Sequence, residues 1–376
     1  MNVYLDCNAT TPMEPAVQAI VLKFMAEEFG NSGSRTHDYG NRAKVAVQNA
    51  RDQVAKALCA DREEVIFTSG ATESNNLAIL GLAAFGERTG RRHIISSQIE
   101  HKAVLEPLDS LRARGFDVTL LPPEAGGYVN PDRIKEALRP ETLLVSVMQA
   151  NNETGIMQPM SEICGRLTDH PAYLHVDAAQ GFGKANEPLR NRRIDLISIT
   201  AHKIYGPKGV GALIARRREF DRPPLVPLMF GGGQERGLRP GTLPVALIAG
   251  LGLAAELADN DAAARRRKCA DYRRSVLDGL APLEPEFNGD QQRVLPNAVS
   301  LSVPELDSEA FMLATKGLIA VSNGSACTSQ SYQPSHVLKA MGLGADRIKS
   351  AIRLSWCHFT PQVNWPEVVV ALRHVR

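Results

Sequence analysis

The sequence has no long apolar run, no paired cysteine spacing, no block of like charge and no internal repeat, and each absence argues against a class of protein. No stretch is long enough to span a bilayer. The N-terminus, Met1-Asn-Val-Tyr-Leu-Asp6, lacks the basic and apolar regions of a secretory signal. The six cysteines, Cys7, Cys59, Cys164, Cys269, Cys327 and Cys357, are scattered, which speaks against a disulfide framework or a zinc site and for reduced thiols in the cytoplasm. A formal net charge of +2 over 376 residues leaves no electrostatic footprint for direct nucleic-acid binding. The short runs Arg216-Arg-Arg218 and Arg265-Arg-Arg-Lys268 read as solvated faces. Without a repeat, a solenoid is unsupported.

What is present is an ordinary globular composition, 44% hydrophobic, in a chain long enough for a large core and two substructures. Short β-rich runs at 65–67, 93–96, 118–121, 143–147, 173–176, 196–199 and 209–213 alternate with helical stretches such as 74–88 and 101–114. Pro159 with Ser161 opens another helix. The alternation predicts an α/β fold with a mainly parallel sheet flanked by helices, whose chemistry gathers at strand C-termini. A charged, Ala-rich stretch at about 251–274 reads as one long helix leaving this sheet. Runs at 298–302 and 352–356 suggest strands of a smaller domain, which the N-terminal segment is expected to join.

One lysine stands out. Ser198-Ile-Thr-Ala-His-Lys203-Ile-Tyr-Gly-Pro-Lys208 places Lys203 between a β-branched run and a Gly/Pro turn, where a desolvated amine can form a Schiff base. Taken alone, Lys203 reads equally as a solvated loop residue. Its company changes that. Thr68-Ser-Gly-Ala71-Thr72-Glu-Ser-Asn75 follows a strand and opens a helix, a design suited to a phosphate, although a Thr72 helix cap would look similar. Thr200 and His202 flank the lysine as further phosphate donors. Asp177, just past the strand ending His175-Val176, is placed to pair with a protonated ring nitrogen or to cap a helix. His101 opens a helix and suits ring stacking or proton movement. Together these are the parts of a pyridoxal 5'-phosphate site. Val321-Ser-Asn-Gly-Ser-Ala-Cys327 and the polar residues after it add a single thiol in a small-residue loop, a nucleophile or a structural cysteine.

These segments, with Phe29-Gly-Asn-Ser-Gly-Ser-Arg-Thr-His37, Glu100-His-Lys-Ala-Val104, Ala150-Asn-Asn-Glu153, Gly231-Gly-Gly-Gln-Glu-Arg236 and Gly324-Ser-Ala-Cys-Thr328, resemble the cysteine desulfurases of the class V aminotransferase family, over nearly the whole chain. The resemblance implies a fold-type I pyridoxal-phosphate-dependent transferase. Its large cofactor-binding domain would span 15–255, and a smaller α+β domain, 1–14 and 256–376, would carry the cysteine loop at about 321–335. It implies that Lys203 holds the cofactor, His101 stacks on its ring, Asp177 pairs its nitrogen and Gln180 bonds its phenolic oxygen. Ala71, Thr72, Thr200 and His202 would contact the cofactor, most of them at its phosphate. Thr242, in Arg239-Pro-Gly-Thr-Leu-Pro244, would reach the phosphate of the neighbouring subunit of a homodimer. Asn152 and Arg353 would hold the substrate carboxylate.

The implied reaction converts L-cysteine to L-alanine, leaving a persulfide on Cys327 for an acceptor protein. The long Cys327 loop is similar to that of the first group of these enzymes. The Gly-Ser-Arg-Thr-His37 stretch, and an end at Arg376 without the extension of housekeeping members, are similar to the desulfurases that serve DNA phosphorothioation. Two positions depart from the pattern: Ser32 replaces a usual proline, and Cys357-His358 stands where many members have Gly-Arg. Sulfur supply for iron–sulfur clusters or tRNA thiolation, a selenocysteine lyase, an aminotransferase or lyase on the same fold, and a non-catalytic sulfur-binding protein are the competing readings.

Overall fold

The computed structural model describes residues 2–323 and 334–375, so Cys327 and most of its loop lie outside the described residues. After a short strand β1 (Val3–Tyr4), two helices, α1 (Pro15–Ala26) and α2 (Asp38–Ala57), precede the main sheet. That sheet is built from β2 (Val65–Thr68), β3 (His93–Ser97), β4 (Asp117–Leu121), β5 (Thr142–Met148), β6 (Tyr173–Asp177), β7 (Leu196–Thr200) and β8 (Gly211–Ala215). Between them run α3 (Ala71–Leu80), α4 (Ala83–Thr89), α5 (Lys102–Ala113), α6 (Pro131–Ala137) and α7 (Met160–Arg166).

The strand order is β2-β8-β7-β6-β5-β3-β4. β4, β3, β5, β6 and β7 pair in parallel, whereas β8 is antiparallel to both of its neighbours. The central strands β5 to β8 are buried residue by residue, save the half-buried Tyr173 at the start of β6, because helices cover both faces of the sheet and leave no polar side to alternate with. The parallel strands end together at Asp177, Thr200 and Met148, and that edge is where the site lies.

Four expectations need correction. The 74–88 stretch is two helices, broken at Gly81. A side chain there would meet Leu77 O at 2.2 Å, and the Gly81 carbonyl accepts Val226 N at 2.9 Å from a crossing segment. The 251–274 stretch is likewise two helices, α8 (Val245–Asn260) and α9 (Ala262–Leu280), parted at Asn260-Asp261, two poor helix formers whose side chains compete for backbone groups. The strand expected from Gly209 starts at Gly211, because Gly209 takes a left-handed φ of 85°. The basic runs are solvated only in part: Arg216 is buried and donates to the carbonyls of Asn191, Leu58 and Leu189 at 2.6–2.9 Å, and Arg265 is buried against Glu14 at 2.8 Å, whereas Arg266, Arg267 and Lys268 are exposed as expected.

Beyond α9 the chain forms β9 (Glu286–Phe287), β10 (Ala298–Ser302), α10 (Ser308–Ala314), β11 (Ile319–Ala320), α11 (His336–Ala340), α12 (Ala345–Lys349), β12 (Ala351–Ser355) and α13 (Trp365–Arg373). β10 pairs antiparallel with β9 and β12, and β1 pairs in parallel with β11. One hydrophobic cluster draws its residues from Val17 to Ala255. A second joins Val3 and Leu5 to residues between Cys269 and Leu372, Trp356 and Trp365 among them. The N-terminal segment therefore packs with the C-terminal third, then crosses back to the sheet edge: Thr11 N donates to His202 O at 3.0 Å and Glu14 N to Tyr205 O at 3.0 Å.

Candidate active site

A cavity of about 450 Å³ opens at the C-terminal edge of the parallel strands. The end of β7 carries Thr200 into it, and the chain then makes one tight helical turn, Ala201–Lys203, that presents His202 and Lys203. Tyr205, buried with a φ of 68°, closes the turn in a conformation that costs a non-glycine residue of order 1–3 kcal/mol. The N-terminal segment holds it there. Tyr205 N donates to Thr11 Oγ1 at 3.0 Å, Thr11 Oγ1 to His202 O at 2.9 Å, and His202 Nδ1 lies 3.1 Å from Thr10 Oγ1. Lys203 also interacts with other groups in the folded chain.

Across the cavity, β2 runs into the N-terminus of α3, so that Ser69, Gly70, Ala71 and Thr72 line the wall with amides of the first helical turn. Gly70 takes the cap position and Thr72 the first turn; the capping reading of Thr72 therefore falls. Gly211 makes this approach possible, since a Cβ there would sit 2.4 Å from Ile199 O and 2.7 Å from Gly70 Cα.

Asp177 ends β6 at the base of the cavity and is only 6% exposed. Its Oδ2 accepts from Asn75 Nδ2 at 2.8 Å and its Oδ1 from Ala179 N at 2.9 Å. A carboxylate fixed by two donors is aimed rather than adaptable. Below it on the same strand, His175 bridges Ser146 and Ser198 at 2.8 and 2.9 Å, and burial drives its pKa down to about 4. It is a neutral core histidine.

His101 caps α5, its Nδ1 accepting Ala103 N at 3.1 Å, which leaves Nε2 to carry the proton. Burial lowers its pKa and Lys203 adds to the shift, against the pull of Asp177; the ring is neutral near pH 7. His202 is pushed to about 4 by burial and then by Lys203, Lys208 and Lys184. Gln180 donates through Nε2 to Asn8 O at 2.8 Å and accepts through Oε1 from Lys184 Nζ at 3.2 Å. Lys184 is itself half-buried, and desolvation lowers its pKa to about 8.

Nine of the residues singled out in the sequence therefore share this one cavity: Ala71, Thr72, His101, Asn152, Asp177, Gln180, Thr200, His202 and Lys203. Arg353 is buried beside it, donating to Asn152 O at 3.0 Å and pairing with Asp6 at 2.6 Å. Its Nε has no hydrogen-bond partner among the described residues. Thr242 lies elsewhere, on a cavity of about 210 Å³ with Lys44, Arg51 and Gln234. Sequence reasoning missed Asn75, Asn8, Lys184 and Glu100. Asn75 and Glu100 sat inside quoted motifs with no role assigned, whereas Lys184 lies outside those motifs, four residues after Gln180.

Glu100 is fully buried behind His101. Its Oε1 accepts Ser97 Oγ at 2.5 Å and Met148 N at 3.1 Å, while Oε2 has no partner among the described residues. Burial raises its pKa to about 8, against those two hydrogen bonds and with help from Asp177. In the unfolded chain the group loses its proton near 4.5, in the folded chain only near 8. Between those values the folded state holds the extra proton, so stability falls as pH rises through the window. Glu100→Gln, which keeps the shape and cannot ionise, is expected to melt higher than the parent at pH 8 and to match it near pH 5. Parallel melting curves for the two across pH 5–8 would contradict this assignment.

Residues 3–364 match the family model described as Aminotransferase class-V. The chain belongs to that family. It is 46% identical to "Cysteine desulfurase IscS" of Methylococcus capsulatus over 96% of this chain and 89% of the relative. Among solved structures, DndA from Streptomyces lividans is 52% identical with a TM-score of 0.82, covering 93% of this chain and 98% of its own. SspA, solved in complex with cysteine, is 36% identical with a TM-score of 0.84, covering 96% and 100%. The class V family thus accounts for the mixed sheet. No helix among the described residues is long and apolar enough to cross a membrane.

Proposed function

We propose that this protein is a pyridoxal-phosphate-dependent cysteine desulfurase, converting L-cysteine to L-alanine and passing the sulfur through Cys327 to an acceptor protein. The observation that carries the reading is the convergence of Lys203, Asp177 and the N-terminus of α3 on one cavity. Desulfurase relatives at 46% identity and a cysteine-bound structural neighbour support it.

The residues fit the cofactor. The α3 amides, Thr72, Thr200 and His202 would cradle a phosphate, the doubly held Asp177 would pair with a pyridinium nitrogen, and Lys203 would supply the amine. Asn75 Oδ1, buried without a partner among the described residues, is a polar atom left over at the same wall. When bound, pyridoxal phosphate supplies an electron sink for bonds broken at the amino-acid Cα.

Lys203 anchors the cofactor and then moves the proton at the substrate Cα. Asp177 would keep a ring nitrogen charged, and Gln180, oriented by Asn8 and Lys184, would donate to a phenolic oxygen. Neutral His101 would cover the ring face. Asn152 and Arg353 hold the carboxylate, the guanidinium through its remaining Nε donor. Cys327, as a thiolate, attacks the substrate sulfur: the new S–S bond forms as the Cβ–S bond breaks. The balance is L-cysteine plus enzyme thiol giving L-alanine plus enzyme persulfide.

The same reading makes 15–255 the cofactor-binding domain and 1–14 with 256–376 the smaller one, a division that the two hydrophobic clusters support. It makes the protein a homodimer in which Thr242, remote from its own cavity, reaches the phosphate of the neighbouring subunit. Of the sulfur routes, supply for DNA phosphorothioation is favoured by the Gly-Ser-Arg-Thr-His37 stretch and by the 52% identity to DndA, above the 46% to the IscS relative.

The test is to supply L-cysteine and a thiol reductant to the purified, cofactor-loaded protein. Alanine and sulfide are expected in equal amounts. Pyruvate with ammonia, or amino transfer to a 2-oxo acid without sulfide, would replace the desulfurase reading by a lyase or an aminotransferase.

A further inference from the structure

We propose that Cys7 and Cys357 form an oxidative modification site, a thiol pair that closes to an intramolecular disulfide when hydrogen peroxide reaches it. The pair lies behind the active-site cavity and plays no part in the chemistry above. Cys7 follows the bridge that joins Asp6 to Ser355, and its amide donates to Ser355 O at 3.0 Å. Cys357 comes two residues after Ser355, at the position where the sequence departs from Gly-Arg. Its amide and its sulfur both meet Thr360 Oγ1, at 2.9 and 3.3 Å. The two side chains pack with Tyr205 in a buried cluster of their own.

Three features suit this pair to oxidation. With the two thiols packed together, Cys7 lowers the pKa of Cys357 against its burial, while Cys7 itself is raised. Cys357 is therefore the nucleophile. Lys184 adds a positive charge beside the cluster. With Cys7 only 1% and Cys357 3% exposed, a bulky oxidant is shut out. A cavity of about 20 Å³ bordered by Lys184, Cys269 and the cluster's own Tyr205 reaches the cluster through that ring and leaves room for one water-sized molecule.

In the step itself, the Cys357 thiolate attacks one peroxide oxygen. The O–O bond breaks, giving a sulfenic acid and a hydroxide that takes up the displaced thiol proton as water. Cys7 then attacks the Cys357 sulfur, the S–O bond breaks, and a second water leaves. Two thiols lose two electrons in all and one peroxide is reduced to two waters. The bond would tie the N-terminal segment to the end of β12. Asn8, next to Cys7, holds Gln180 through its carbonyl and donates to Asn152 O at 3.2 Å. Oxidation therefore acts on the cavity, a consequence that rests on the proposed function, whereas the thiol site does not.

The test uses the full chain carrying Cys59→Ser and Cys327→Ser, so that of six cysteines only the four buried ones remain. After exposure to hydrogen peroxide, alkylation in denaturant and trypsin digestion without reduction, a cross-linked species of peptides 1–23 and 354–373 is expected. Two of the four alkylatable thiols should be lost, and both should return with a reductant. Full alkylation of all four thiols, irreversible oxidation to sulfinic acid, or pairing with Cys269 or Cys164 would overturn the proposal. A visible cofactor band is recorded on the unmodified protein in parallel. The cross-link without any band would sustain the thiol site and sink the desulfurase reading; a band and turnover of L-cysteine without the cross-link would do the reverse.

Discussion

Lys203→Ala is expected to lose the visible cofactor absorbance and to form alanine from L-cysteine at least about 10³-fold more slowly, roughly 4 kcal/mol of transition-state stabilisation. The effect is large because the position is unique in geometry. Lys203 is the cavity residue delivered by the strained turn after β7 and clamped by Thr10 and Thr11. The other lysines near the site do not substitute for it: Lys208 is exposed at the rim, and Lys184 donates to Gln180 from behind the cavity wall. A variant that keeps the absorption band and more than about a tenth of the rate would remove Lys203 from the cofactor chemistry.

Cys327→Ser separates the two halves of the account. The variant is expected to keep its cofactor band, since every residue assigned to the cofactor is untouched. Its rate of alanine formation should fall by about 10²-fold or more, because a serine hydroxyl stays protonated where a thiolate is the nucleophile. An unchanged rate in the presence of a reductant would leave the fold and the cofactor site intact and return the protein to the lyases and aminotransferases of the same family.

The strands and most of the site were legible in the sequence because each depends on a few adjacent residues. The runs from Val65 to Ile199 lie where expected, since a strand buried on both faces is written as a short apolar segment. Asp177, Thr200 and Lys203 could be placed because each directly ends or follows such a run. The misreadings have a different origin. The break at Gly81 depends on a segment more than 140 residues later, and Arg216 is buried because its donors meet carbonyls of 58, 189 and 191; neither relation is written locally. The proton on Glu100 is of the same kind: a carboxyl beside His101 gives no hint of whether water reaches it. Thr242 marks the limit for a single chain, since the role that the family resemblance implies for it needs a second subunit.

The most direct measurement is a single exposure of the cofactor-loaded protein to L-cysteine without reductant or acceptor, followed by mass spectrometry of the intact chain and of its peptides. The account predicts one alanine per subunit and one additional sulfur, carried on Cys327 and removed by a thiol reductant. Alanine or sulfide released with the Cys327 peptide unchanged would contradict it.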